Sequence, residues 1–76
     1  MFSVNEAKNI ISKKYPKAKV LAILETDKYY ICHLSDDTTG PIRKAVRRDN
    51  GNVEILGVME ICAVMNTTKI KKDHLF

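Results

Sequence analysis

Apolar residues at Val4, Ala7, Ile10, Ile11 and Tyr15 recur with helical spacing, and Lys8, Lys13 and Lys14 fall on or near the opposite side. Ser3 followed by Glu6 has the form of a capping box, with Phe2 and Ala7 in the staple positions on either side of it. Pro16 forces the preceding residue out of the α region, which predicts a helix ending near Tyr15.

The pattern then changes to strands. Lys19–Glu25 (KVLAILE) is rich in branched side chains and apolar on both faces, and YYICHL follows after only Thr26-Asp27-Lys28. So short a connection predicts an antiparallel hairpin. Counting across it puts Val20, Ala22, Leu24, Tyr29 and Ile31 on one face, and Leu21, Ile23, Tyr30, Cys32 and Leu34 on the other. Ser35–Pro41 reads as a polar surface loop in which Asp36 and Asp37 serve turn formation.

A third strand is expected over Ile42–Arg48 and a fourth over Asn52–Gly57. Asn50-Gly51 between them is a strong signal for a two-residue turn. That turn would set Arg48 against Val53, Arg47 against Glu54, Val46 against Ile55 and Ala45 against Leu56. Ile42, Val46, Val53 and Ile55 then form a core face, and Arg43, Ala45, Arg47, Glu54 and Leu56 a mixed one.

Beyond Gly57, Val58, Ile61, Cys62 and Met65 have helical spacing, although the same residues also suit a strand. The helix over Val58–Asn66 is favoured, and the tail TTKIKKDHLF reads as polar, basic and partly frayed. The expected fold is thus α+β: one domain over residues 1–76, with an N-terminal helix on a four-stranded antiparallel meander and a short C-terminal helix.

At 76 residues, 45% hydrophobic and 29% charged, the chain has room for one core and few disordered residues. A net charge of +4 favours acidic partners only weakly. Cys32 and Cys62 lack metal-ligand spacing and are expected to be free, buried thiols. The N-terminus has no signal-peptide run, and no stretch approaches the roughly 20 apolar residues of a membrane span, so a cytoplasmic protein without membrane contact is expected.

A helix ending in KKYPKAKV, a meander, and a strand closing with AVRRDNGNVEIL together resemble PepSY-type domains, which lay one helix across a small antiparallel sheet. The matching turn residues are Asp49, Gly51 and Val53. The order is also similar to that of small immunity domains of bacterial toxin systems, through Gly40, Pro41, Ile42 and Gly51. Both resemblances imply a binding or inhibitory module rather than an enzyme.

The residues themselves argue the same way. His33 would need a nucleophile or further ligands beside it to act as base or metal ligand, and Cys32 projects to the opposite face of the strand. No phosphate loop, GxSxG or HExxH motif occurs, and DDTTGP lacks the alternating ligands of a calcium loop. No catalytic, metal or cofactor residue is assigned.

Two binding readings follow. One helix cannot cover a sheet that is apolar on both faces, so either the C-terminal segment or a partner covers the second. The partner surface is expected at Tyr29, Ile31, His33, Arg43, Ala45, Arg47 and Leu56, for another protein or a second copy. The alternative is nucleic-acid binding by Arg43, Lys44, Arg47 and Arg48 with Tyr29. It ranks second, because arginines also serve to solvate a sheet face and blunt strand edges. GVMEICAVM also lacks the lysines that open the second helix of double-stranded RNA-binding domains.

Overall fold

The computed structural model describes residues 2–35 and 42–76. The element order is α1 (Val4–Lys14), β1 (Val20–Glu25), β2 (Tyr29–Leu34), β3 (Arg43–Arg47), β4 (Val53–Leu56), α2 (Val58–Thr67) and β5 (Lys72–Leu75). The loop expected over Ser35–Pro41 lies, apart from Ser35, outside the described residues. Among the described residues no helix is long and apolar enough to cross a membrane.

The first helix follows its sequence signals. The Ser3 hydroxyl accepts from the Glu6 amide at 3.2 Å, and the Ser3 amide donates to the Glu6 carboxylate at 3.1 Å. Tyr15 ends the helix, and Lys13 and Lys14 in the last turn face the negative end of the helix dipole.

The sheet has five strands in the order β4-β3-β2-β1-β5, every neighbouring pair antiparallel. The fifth was not expected. The tail, read as frayed, instead pairs with β1, setting Ile23 opposite His74 and Glu25 opposite Lys72. Nothing in Lys-Asp-His-Leu alternates, so β5 is set by the open edge of β1 rather than by its own pattern.

Two registers differ from simple counting. Between Val20 and Ala22 the pairing with β2 slips, leaving Leu21 as the extra residue. Val20 therefore joins Ile23 on one face, instead of Ala22 and Leu24 on the other, and is buried while Leu21 is exposed. In the second hairpin Val46 pairs with Val53 rather than Ile55, a shift of two residues that leaves each side chain on its expected face. The loop runs over residues 48–51, closed by Gly51 donating to the Arg47 carbonyl, and Gly51 alone has a positive φ, of 75°. A type I′ turn would need Asn50 there too. The reason lies outside the hairpin: the Phe2 amide donates to the Arg48 carbonyl and its ring packs on Gly51.

The helices lie on opposite faces. Ala7 and Ile11 of α1 pack on Val20, Ile23, Tyr30, Cys32, Leu34 and Val46, with Phe2, Val4, Ile10, Tyr15 and Val53 at the margin. This main core spans β1 to β3 and leaves Ile42 and Ile55, both expected in it, 52% and 61% exposed. On the second face Ile31, Ala45 and Leu56 are buried, with Ile61 and Val64 of α2 packed against them.

A methyl group on Gly51 would meet the Phe2 ring at 2.6 Å as well as the φ penalty. Gly51→Ala should lower stability by roughly 1 kcal/mol or more, seen as a lower urea midpoint at unchanged slope. An unchanged midpoint would show that the turn relaxes without cost.

Candidate docking groove on the second sheet face

The seven residues expected to form a partner surface do share one face, the one α2 lies on. Helix α2 covers Ile31, Ala45 and Leu56. Tyr29, Arg43 and Arg47 are half-buried around it, and His33 is exposed.

Helix α2 is held chiefly at its ends. At the start, the Gly57 amide donates to Glu60 Oε2 at 2.6 Å. At the finish, the Asp27 amide donates to the Thr68 hydroxyl and the Lys69 amide to the Asp27 carboxylate, both at 2.9 Å, tying the helix end to the β1–β2 turn. No residue of α2 itself is buried, although Glu60 is its only charged side chain. Its inward stripe is Ile61 and Val64, so Cys62, expected to be a buried thiol, is exposed and free, while Cys32 is buried. Met59, at 80% exposure, heads the outward side.

Because α2 lies over β2 to β4, the part of this face formed by β1 and β5 remains open. A groove of about 240 Å³ runs there between Ile61 and Met65 of α2 and the sheet, with Ala22, Leu24 and Ile31 as apolar lining. His33, Arg43 and Asp73 are its polar residues. A wider hollow of about 470 Å³ lies between α2 and the β1–β2 turn, lined by Tyr29, Val64, Ala63 and Thr67 among others. Asp73 was missed from sequence because the tail was not read as a strand. Pairing with Leu24 brings it to this face.

The arginine strand is occupied with its own neighbours. Arg47 donates to Asp49 at 2.9 Å and reaches Glu54 at 3.4 Å, diagonally rather than directly opposite as the expected register had it. That hydrogen bond from Arg47 holds the exposed Asp49 carboxyl below its ordinary range. The small stabilisation it gives is present at neutral pH and fades as acid protonates Asp49. Arg48 pairs with Glu25 at 3.2 Å and lies over the Tyr30 ring, and the Lys44 ammonium sits over Tyr15. Lys44 pairs with Cys32 and so belongs to the α1 face, away from Arg43 and Arg47. The four cations proposed for nucleic acid thus do not form one basic surface.

Cys32 and His33 point to opposite faces, one buried and one exposed. Among the described residues no three of His, Cys, Asp and Glu are grouped to hold a metal ion.

Comparisons with protein-family models, with curated proteins and with solved structures returned no match. The likeness to PepSY-type and immunity domains thus gains no support from them.

The Tyr29 hydroxyl donates to Glu54 Oε1 at 3.2 Å, and desolvation followed by that bond raises its pKa above the ordinary 10.0. Glu54→Gln should bring the Tyr29 titration down but leave it above 10.0, since desolvation remains. Ring-carbon NMR of Tyr29 reads this directly; no movement would show that Glu54 does not act on it.

Proposed function

We propose that this chain is a small protein-binding module that docks a partner on its second sheet face, with no catalytic step of its own. The observation that carries the reading is α2: an almost uncharged helix, no residue of which is buried, lying beside an apolar groove it does not fill. A helix that served only to close a core would turn its apolar stripe inward and charges outward. Here Met59 and Cys62 face outward instead. Apolar surface of this kind, rimmed by polar groups, is typical of interaction sites.

The groove fits an extended or helical segment that inserts an apolar side chain between Met65 and Leu24. His33 and Arg43 at the margin favour a carboxylate beside that side chain, and Asp73 favours a cation on its other flank. Of the residues first assigned to the surface, Tyr29, His33, Arg43 and Arg47 remain at its border, while Ile31, Ala45 and Leu56 act as support under α2.

The nucleic-acid reading has less behind it, because Arg47 and Arg48 are already paired with carboxylates. A steep fall of RNA or DNA affinity with salt would revive it.

Peptides selected from a display library against the whole protein should lose affinity about tenfold or more on Met65→Asp, a change of 1.4 kcal/mol or above. Their amide shift changes should centre on Ala22, Leu24, His33 and Arg43. Binding indifferent to Met65→Asp, with shifts only on the α1 face, would overturn the proposal.

A further inference from the structure

The two edges of the sheet are built differently. Strand β5 is the outer strand on one side and carries Lys72, Asp73 and His74, charged and polar side chains of the kind that discourage further strands from adding. Strand β4, the outer strand on the other side, reads Val-Glu-Ile-Leu, with no proline, lysine or bulge. Its one charge, Glu54, is drawn back toward its own sheet by the Tyr29 hydroxyl and the Arg47 guanidinium.

The outward groups of β4 follow from the ladder. Arg47 donates to the Asn52 carbonyl, so the alternation of an antiparallel pair turns the amides and carbonyls of Glu54 and Leu56 toward β3. Those of Val53 and Ile55 therefore point away from the sheet. Among the described residues β4 pairs with β3 alone. The same edge carries a run of exposed apolar side chains: Ile55 at 61%, Ile42 at 52%, and Val58 at 50% just after the strand. Helix α1 packs over β1 to β3 and stops short of them.

We propose that β4 is a self-pairing edge, and that two copies of this chain join antiparallel through it about a two-fold axis at Ile55, giving one continuous ten-stranded sheet. Three features select a second copy and this register. An isologous contact needs a strand complementary to itself. Centred on Ile55, the pairing sets Ile55 against Ile55 of the second copy, Glu54 against Leu56, and Val53 against Gly57. The two Ile55 residues then exchange both hydrogen bonds, and the most exposed large apolar strand residue outside β5 among the described residues becomes covered on both copies. Centring on Glu54 would instead place two carboxylates face to face, which is destabilising. This contact uses neither the groove beside α2 nor Met59, so it stands apart from the binding function proposed above.

Sedimentation of the whole protein over micromolar to submillimolar concentrations tests the inference. A monomer–dimer equilibrium is expected, and Ile55→Lys should weaken it about tenfold or more. Leu75→Lys on the β5 edge should leave it unchanged. Both positions are exposed, so far-ultraviolet circular dichroism should show folded variants. In a Cys62→Ser background, Ile55→Cys should form an intermolecular disulfide on mild oxidation, since a hydrogen-bonded pair sets its Cα atoms about 5.5 Å apart, within disulfide reach. A protein that stays monomeric throughout would overturn the proposal. So would a dimer that survives Ile55→Lys and dissolves with Met59→Lys, which would assign the contact to α2.

Discussion

Strands β1 and β2 are apolar on both faces, and everything else in the molecule answers to that. Ile23 and Cys32 pair across one face, Leu24 and Ile31 across the other, so one covering layer cannot dry them both. Helix α1 takes the first face with a capped, well-patterned surface whose Ala7 and Ile11 are fully buried. Helix α2 takes the second with Ile61 and Val64 and buries nothing of its own. The inequality between the two coverings is the origin of the groove. Where the first layer is a closed core, the second is a helix leaning on three residues and tied down at its ends.

The polar contacts reinforce the same arrangement. Thr26, the one buried polar residue among the described residues, closes the first hairpin: its hydroxyl donates to the Tyr29 carbonyl and accepts from the Tyr29 amide. The carbonyl of Thr26 accepts from Arg48, and Arg48 reaches Glu25, which His74 also contacts at 3.0 Å. One chain of contacts thus links β1, β2, the β3–β4 turn and β5. Arg48, one of the cations that looked from sequence like a basic strand for a polyanion, is a cross-link of this network, while Arg47 is tied to Asp49 and Glu54.

Much of the architecture was legible in the sequence where local physics decides it. Ser3, Glu6 and Pro16 carry their own instructions, and α1 begins and ends where they say. The faces of β2, β3 and β4 followed from alternation and survived a two-residue error in hairpin register, because a shift of two preserves the side of every residue. What was not legible depends on distant neighbours. The bulge at Leu21, the longer turn beneath Phe2 and the pairing of Lys72–Leu75 each arise from contacts far along the chain. The candidate site shows the same division: Tyr29, His33, Arg43 and Arg47 were placed on its face by counting, whereas Asp73 and Met65 entered it only through β5 and the seating of α2.

The place of β5 has an effect on how the molecule is made. Among the described residues β1 is the first strand in chain order, yet its outer partner β5 is the last. Until β5 has been made a largely apolar hairpin waits with one border unsatisfied, and the closing of the sheet there is long-range and correspondingly slow. Loss or late docking of β5 should therefore prolong a vulnerable nascent state, whereas the capped helix α1, which precedes the hairpin in the chain, is available to cover its other face from the start.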